Sequence, residues 1–236
     1  MTNNPDQENV ILLLTRPLGG NERFCLKIKH LLYSCEILDN PIQRIDFLPS
    51  LSKVNKNSVL IFTSANGLRA AKKHNLINKK CFVVGANTKK IAVSFGYDVL
   101  GFSKDQENLL KLIKSKKPTE SMVHIRGKHT VGNLCEELKR NQFSCLDIIG
   151  YNQEPLKIKK QNLQKIHSGR PVILPIFSSR SAELLQSNLD LTGFNVIAIS
   201  EAVAKIITGV ELGELVISKK PDLNSMQEAT LAILRR

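Results

Sequence analysis

Two segments of this chain, residues 11–115 and 121–234, are similar in sequence, and this repeat constrains the fold more than any single motif. Phe62-Thr63-Ser64 matches Phe177-Ser178-Ser179 at an offset of 115 residues, and Arg16 matches Arg126 at an offset of 110. Further matches are Val84-Gly85 with Ile199-Ser200, Phe102-Ser103-Lys104 with Ile217-Ser218-Lys219, Cys25 with Cys135, and Tyr33-Ser34-Cys35 with Phe143-Ser144-Cys145. Such self-similarity indicates duplicated supersecondary units. We therefore expect two lobes with a cleft between them, and we call the two segments the first and second copies.

Apolar runs of strand length alternate with helical patterns in both copies. Strands are predicted at residues 10–15, 35–38, 59–63, 81–84, 99–102, 122–126, 145–149, 171–177, 195–199 and 214–218. Helices are predicted at residues 21–32, 65–74, 88–95, 106–114, 131–140, 160–167, 180–189, 201–207 and 224–234. This alternation predicts parallel sheets flanked by helices, a duplicated flavodoxin-like α/β fold. Ligands of such sheets bind at the carboxyl ends of the strands.

Two turn-rich segments occupy matching places in the copies. They are Asp39-Asn40-Pro41 and residues 150–155, GYNQEP. Their turn-forming residues predict connectors, near 39–43 and 150–155, at which the chain changes lobe.

The five cysteines are scattered and show no CxxC spacing. We therefore expect reduced, buried thiols, with neither a disulfide nor a zinc site. No run of the sequence approaches the roughly 18 apolar residues that span a bilayer, so no membrane contact is expected. Residues 1–9 are polar and do not resemble a signal peptide, which favours a cytoplasmic location.

The formal net charge of +13 has three interpretations: the chain binds a polyanionic ligand, it binds nucleic acid, or the charge reflects no specific partner. The basic residues are dispersed as Lys-Lys pairs, beginning at positions 72, 79, 89, 116, 159 and 219, which is typical of a solvated surface. Aromatic residues make up only 5% of the chain and Trp is absent, so few side chains could stack on bases. We therefore do not expect a nucleic-acid partner.

Each copy carries hydroxyl residues between a buried strand and a helix: Thr63-Ser64 in the first copy and Ser178-Ser179 in the second. Such a hydroxyl caps the free N–H groups of a helix, and the same N–H groups also attract carboxylates and phosphates. Both interpretations stay open for these turns. Residues 85–88, which include Gly85 and Thr88, form another such turn. It lacks both the GxGxxG fingerprint and the lysine of a P-loop, so no nucleotide is implied.

Arg16 and Arg126 each follow the first strand of their copy. A guanidinium there suits a carboxylate ligand, although a solvated strand end is an equal alternative. His124 and His129 lack a third ligand, and we interpret them as surface or packing residues.

In order and spacing, these motifs resemble the uroporphyrinogen-III synthase family. The resemblance covers nearly the whole chain. It rests on Thr15-Arg16-Pro17, Phe62-Thr63-Ser64-Ala65-Asn66-Gly67, Val84-Gly85-Ala86-Asn87-Thr88, Arg126-Gly127, Tyr151 with Pro155, and Phe177-Ser178-Ser179. It implies two α/β lobes joined by two strand-like linkers, with one discontinuous lobe of residues 1–40 and 156–236 and a second of residues 42–150.

The resemblance also implies the reaction. Hydroxymethylbilane, a linear tetrapyrrole with eight carboxylates, would lose water and close to uroporphyrinogen III with ring D inverted, without a metal or cofactor. Tyr151 is then the candidate that protonates or orients the departing hydroxyl, unless its ring only packs between elements. The implied substrate-binding residues are Arg16, Thr63, Ser64, Gly85, Thr88, Arg126, Ser178, Ser179 and Ser200. Transient contact with the preceding pathway enzyme is also expected.

One turn departs from the family pattern, because Ser200 and Val203 stand where a Gly and a Thr are usual. Valine cannot donate a hydrogen bond, so a carboxylate there would need backbone amides or a neighbour. This departure keeps open a second hypothesis, a non-catalytic two-lobed binding protein for an anionic metabolite.

Overall fold

The computed structural model describes residues 10–17, 19–26, 28, 35–51, 54–130 and 132–235. The chain divides into two compact units. The first unit comprises Met1–Arg44 with Glu154–Arg236, and the second comprises Ile45–Gln153. Within the described ranges, none of the helices is long and apolar enough to cross a membrane.

Strands and helices alternate along the chain. The strands are β1 (Val10–Leu14), β2 (Cys35–Asp39), β3 (Gln43–Phe47), β4 (Val59–Phe62), β5 (Lys80–Val84), β6 (Asp98–Ser103), β7 (Met122–Gly127), β8 (Cys145–Pro155), β9 (Val172–Ile176), β10 (Asn195–Ala198) and β11 (Glu214–Ile217). The helices are α1 (Gly20–Leu26), α2 (Ala65–Lys73), α3 (Ala86–Ser94), α4 (Gln106–Lys116), α5 (Leu134–Arg140), α6 (Lys160–Ile166), α7 (Ser179–Asn188), α8 (Glu201–Ile206) and α9 (Leu223–Leu234). The predicted α/β class, with parallel sheets flanked by helices, is confirmed.

The first unit contains a five-stranded sheet in the order β11-β10-β9-β1-β2. Its strands pair in parallel. The apolar run of β1 is buried on both faces: Ile11 and Leu13 pack with residues of α7, whereas Leu12 and Leu14 pack against Phe24 of α1. A continuous apolar run is what a strand needs when helices cover both faces.

The second unit contains a six-stranded sheet in the order β3-β8-β7-β4-β5-β6. Alternate residues of β4 again face two cores. Leu60 and Phe62 pack with Leu68 of α2, and Val59 and Ile61 pack in the cluster that includes residues of α4 and α5. The β4 pairs are parallel, with β5 on one side and β7 on the other.

The two sheets repeat one topology with exchanged strands. The order β2-β1-β9-β10-β11 of the first unit corresponds to β8-β7-β4-β5-β6 of the second. The first copy therefore supplies β1 and β2 to one sheet and β4, β5 and β6 to the other, and the second copy does the reverse. Each unit is built from parts of both copies.

The structure gives extended backbone to both predicted connectors. Residues 150–155, whose turn-forming residues mark the second connector, belong to the continuous strand β8 (Cys145–Pro155). Strand β3 (Gln43–Phe47) was not predicted from the sequence pattern, because only Ile45 and Phe47 alternate with polar residues. Hydrogen bonds from Leu48 N to Gly150 O and from Leu156 N to Ile42 O account for the extended backbone in both segments.

Most predicted helix and strand ends agree with the structure within two residues. The first helix, predicted over residues 21–32, is described as Gly20–Leu26, and residues 27 and 29–34 lie outside the described residues. The predicted start of the fifth helix at Val131 also lies outside them, and α5 is described from Leu134.

The expectation of five reduced thiols is wrong for one pair. Cys135 of α5 and Cys145 of β8 form a disulfide with a Cα–Cα distance of 5.3 Å. After α5 ends, Gln142 adopts a left-handed φ of 65°, and the Phe143 amide donates to Leu138 O. This tight turn brings the start of β8 back beside the helix. A separation of ten residues without a motif gives no such signal in the sequence.

We predict that this disulfide stabilises the second unit. Closing a ten-residue loop lowers the entropy of the unfolded chain, which is worth about 2–3 kcal/mol. Urea unfolding should therefore shift to lower denaturant when dithiothreitol is added. The Cys135→Ala/Cys145→Ala double variant is the control, since the midpoint of its urea unfolding should not change when dithiothreitol is added. Equal midpoints for the wild type with and without dithiothreitol would contradict the prediction.

Candidate functional site

The turn between β4 and α2 places two hydroxyl groups at the carboxyl end of the sheet in the second unit. Ser64 has an extended φ of −152° and is the N-cap of α2, where its Oγ accepts a hydrogen bond from Gly67 N at 3.3 Å. Thr63 precedes it and is half-buried. The capping role proposed for Ser64 is therefore present, and it leaves the Ser64 hydroxyl able to make a second hydrogen bond.

That second hydrogen bond joins Ser64 to Tyr151. The Ser64 Oγ and the Tyr151 hydroxyl lie 2.8 Å apart. Tyr151 lies on β8, is only 5% exposed, and packs its ring into the core beneath α2. Burial raises the pKa of Tyr151, and the hydrogen bond with Ser64 opposes part of that rise. The phenol is therefore protonated at neutral pH, with its hydroxyl at the start of α2.

Gly67 allows α2 to approach the strands closely enough for this contact. A Cβ at Gly67 would lie 2.4 Å from the carbonyl oxygen of Ile125 on β7. Any larger residue must therefore push the first turn of α2 away from the sheet.

Thr63 takes part in a second network. Its Oγ1 lies 3.0 Å from Nε2 of His124, and Nδ1 of the same ring lies 2.8 Å from Oδ1 of Asp147. His124 is 2% exposed. It is thus buried, in keeping with a packing residue, but both ring nitrogens are engaged by polar partners. His129 is exposed.

Sequence reasoning missed His124 as a candidate functional residue. The available signal was one polar side chain within the apolar run of β7, MVHIRG. Its partners were hidden, because Thr63 is 61 residues away and Asp147 is 23 residues away.

The carboxylate of Asp147 is held by two basic groups. Burial by itself raises the pKa of Asp147, but the hydrogen bonds and charges of His124 and Arg126 outweigh it and leave that pKa below its ordinary value. Arg126 Nε lies 3.3 Å from Asp147 Oδ1, and Arg126 Nη1 donates to Gly127 O at 3.0 Å. Arg126, predicted to bind a carboxylate of the substrate, thus already contacts a carboxylate of the protein.

A nitrogen of His124, the Cys135 sulfur and a carboxylate oxygen of Asp147 lie within 4.8 Å of one another. These are atom types that bind zinc. The Cys135 sulfur, however, is bonded to Cys145, and His124 Nδ1 is hydrogen-bonded to Asp147. In this state the three groups are occupied by protein partners.

The turn between β5 and α3 is built around Gly85. Gly85 has a φ of 86°, a conformation that favours glycine, and its N–H donates to Ser103 O at 2.7 Å. It is the N-cap of α3 and has no side chain with which to cap the helix. Thr88, one turn into the helix, is buried.

In the first unit, Ser178 is the N-cap of α7 and accepts from Ser181 N at 3.1 Å. The two serine hydroxyls lie 2.8 Å apart, and Gln43 Nε2 donates to Ser181 Oγ. Ser179 is the first residue of the helix. Ser200 is the N-cap of α8 but makes no side-chain cap bond, and Val203 behind it is buried.

Arg16 lies in the turn after β1. Its guanidinium carbon stands 4.1 Å from the centre of the Phe177 ring, next to Ser178 in sequence. Asn21 fixes this turn, since its side chain accepts from Arg16 N and donates to Leu14 O.

Within the second unit the structure brings Thr63, Ser64, Arg126 and Tyr151 into two hydrogen-bonding networks that begin at the adjacent residues Thr63 and Ser64. Gly85 and Thr88 occupy a separate turn of that sheet, after β5. Arg16, Ser178, Ser179 and Ser200 belong to the first unit.

The fold and these turns define a class of protein: a duplicated, strand-exchanged α/β protein with hydroxyl-bearing strand-to-helix turns in both units. A sequence model of the family described as Uroporphyrinogen-III synthase HemD matches residues 33–228. The chain belongs to the uroporphyrinogen-III synthase family, as the motifs predicted.

Solved structures with the same fold carry the same name. A uroporphyrinogen-III synthetase from Helicobacter pylori is 14% identical, with a TM-score of 0.68 over 96% of this chain and 99% of that one. A mutant uroporphyrinogen III synthase from Thermus thermophilus is 13% identical, with a TM-score of 0.59 over 96% and 100%. A search of curated protein sequences found no match. At these identities the structural likeness establishes the fold alone.

We predict that Gly67→Ala destabilises the second unit by about 1–3 kcal/mol, since the added methyl group meets backbone rather than a movable side chain. Urea unfolding measures this loss. Lys73→Ala, an exposed residue at the end of the same helix, is the control and should change stability by less than about 0.5 kcal/mol. Equal stability of the two variants would show that α2 is not held against β7 as described.

Proposed function

We propose that this protein converts hydroxymethylbilane to uroporphyrinogen III. The hydroxyl of the linear tetrapyrrole leaves as water, ring D attacks through its substituted carbon, and the spiro intermediate reopens and closes with ring D inverted. One proton joins the leaving hydroxyl and one proton is lost on closure, so the only by-product is water. Family membership supports this proposal, and the observation that carries it is the Tyr151 hydroxyl bonded to Ser64 at the start of α2.

Tyr151 is proposed to protonate or orient the departing hydroxyl. Its raised pKa keeps it a proton donor at neutral pH, and Ser64 fixes the direction of its hydroxyl. A phenol is a weak acid, so its contribution should be moderate, about 10²- to 10⁴-fold. Holding the flexible substrate in one folded shape would supply much of the remaining rate.

Binding of the eight substrate carboxylates is assigned to the strand-end turns and to the basic charge of the chain. A net charge of +13 attracts a polycarboxylate over long range. The proposed contacts are Arg16, Thr63, Ser64, Gly85, Thr88, Arg126, Ser178, Ser179 and Ser200. The N-termini of α2, α3 and α7 add backbone N–H groups and the positive end of the helix dipole.

The turn with Ser200 and Val203 is the weakest part of this assignment. Val203 is buried and has no hydroxyl, so a carboxylate would have to contact the Ser200 hydroxyl or the amides at the start of α8. The Ser200 side chain makes no cap bond and is available for that contact.

The proposal includes no metal or cofactor, because acid–base chemistry and positioning suffice for the dehydration. It places the protein in the cytoplasm. In such a reducing compartment Cys135 and Cys145 would be thiols rather than a disulfide. Because the substrate closes spontaneously to the type I ring, transient contact with the enzyme that supplies it would limit that loss.

The reaction itself gives the first functional prediction. When the protein is added to enzymatically generated hydroxymethylbilane, the product should be the type III isomer, separated by chromatography from the type I ring. Only type I product from folded protein would refute the proposal. If the same substrate then raised the melting temperature without changing the isomer, a non-catalytic binding protein would be the better interpretation.

The second prediction concerns the phenol. Tyr151→Phe removes the proton donor but keeps the packed ring, so turnover should fall about 10²- to 10⁴-fold while the far-UV circular dichroism stays unchanged. Tyr97→Phe is the matched control, because Tyr97 is equally buried in the same unit and donates to Leu76 O at 2.6 Å. Near-normal turnover of Tyr151→Phe would exclude the acid role.

A further inference from the structure

Thr63, His124 and Asp147 form an unbroken chain of hydrogen bonds, of which the roles proposed above use only Thr63, as a contact of the substrate. The Thr63 Oγ1 to His124 Nε2 distance is 3.0 Å and the His124 Nδ1 to Asp147 Oδ1 distance is 2.8 Å. The three residues follow or belong to three adjacent strands, β4, β7 and β8, of one sheet. At the β4–α2 turn this chain of hydrogen bonds ends with Thr63. Thr63 is half-buried whereas the His124 imidazole is buried, so Thr63 is the group of the chain that is accessible at this turn.

The order of the groups fixes the direction of the hydrogen bonds. An ionised carboxylate only accepts hydrogen bonds, and the guanidinium of Arg126, with Nε 3.3 Å from Asp147 Oδ1, favours the ionised form of Asp147. Nδ1 of His124 must therefore carry the proton that Asp147 accepts. In the neutral ring Nε2 is then an acceptor, and the Thr63 hydroxyl donates to it. The free lone pairs of Thr63 Oγ1 are left to accept a proton from outside the network.

The same order of groups, hydroxyl, imidazole and carboxylate, activates the hydroxyl in enzymes that use it as a nucleophile. Here the neighbouring residue, Ser64, is bonded to a protonated phenol instead. Two consecutive hydroxyl residues thus belong to two networks of opposite character. One is connected to a proton donor and the other to a proton acceptor.

We infer that Thr63 takes the proton that the tetrapyrrole loses on ring closure and passes its own proton to His124, which Asp147 holds in the accepting tautomer. This inference rests on the proposed function. The substrate bond to hydrogen breaks, a bond from that hydrogen to Thr63 Oγ1 forms, and the former Thr63 proton moves to Nε2. The imidazolium is stabilised by the Asp147 carboxylate and, after product release, returns the proton to water through the half-buried Thr63 hydroxyl. Thr63 is the catalytic residue, and His124 and Asp147 are positioning residues that act through it.

The charged surroundings of the ring are defined. Asp147 of β8 faces Nδ1 directly, and Arg126 of β7 is paired with that carboxylate. From α5, the Cys135 sulfur, which is bonded to Cys145 in this structure, lies within 4.8 Å of the His124 ring.

The test compares four variants with the wild type in the isomer-resolved assay with enzymatically generated hydroxymethylbilane. Thr63→Val removes the hydroxyl at constant shape, and Thr63→Ser restores it. His124→Gln keeps a polar group that does not titrate. We expect kcat to fall about 10²- to 10⁴-fold in Thr63→Val and His124→Gln and to stay near the wild-type value in Thr63→Ser. The Thr63→Val/His124→Gln double variant should be no slower than either single variant, because the two residues act as a unit.

Rescue by Thr63→Ser and the behaviour of the double variant separate this role from a structural one, because a merely structural defect would not depend on the Thr63 hydroxyl. His74→Gln is the matched control: His74 Nε2 contacts Leu48 O at 2.8 Å in the same unit, so its loss should preserve kcat.

The outcomes distinguish the two proposals. Type III product with a normal rate in His124→Gln overturns the relay and leaves the synthase function standing. Normal kcat in Thr63→Val does the same, and this variant decides the matter if His124→Gln fails to fold. Only type I product from the wild type overturns both.

Discussion

The parallel pairing of β4 with β7 is the interaction on which the candidate site depends. Its register places Ile61 beside His124, so the residue two positions after Ile61 meets the imidazole at the end of the strand. The strands come from different sequence copies, as do β1 and β9 in the other sheet. The first sheet cannot be completed until most of the second copy has been synthesised, because β1 pairs with β2 before the second unit and with β9 after it. Such long-range pairing carries a large loop-closure cost, and the buried apolar strands must repay it.

Because the units share one topology, they act as controls for each other. Strand β1 has the same position in the first sheet as strand β7 has in the second. At the matched offset of 110 residues, Leu14 stands where His124 stands, Ile37 where Asp147 stands, and Pro41 where Tyr151 stands. The hydroxyl turns are therefore a property of the scaffold, present in both units. The imidazole, the carboxylate and the phenol are present only in the second unit.

Features determined by neighbouring residues were predicted from the sequence, whereas features that depend on partners far along the chain were missed. Strands buried on both faces, such as β1 and β9, are continuous apolar runs that are visible without a structure. So are the N-caps, because Ser64 and Ser178 stand directly between a strand and a helix. Strand β3 and the end of β8 were missed because their half-exposed, polar residues owe their extended form to partners far along the chain. The same limit hid the disulfide and His124, whose partners are supplied by separate elements rather than by a motif.

The free-energy cost of burying His124 can be judged by comparison with the equivalent position in the first unit. Burying an imidazole or a hydroxyl costs free energy unless each polar atom finds a partner, and a partly satisfied network is worse than an apolar core. Leu14, which is 1% exposed, shows that an aliphatic residue fills the equivalent position of this fold. The fold therefore has no need of the imidazole. In the second unit three separate strand segments supply a hydroxyl, a ring and a carboxylate that satisfy one another, with Arg126 balancing the charge. A network that folding does not require, and that ends in a half-buried hydroxyl beside a protonated phenol, is best explained by chemistry at that hydroxyl.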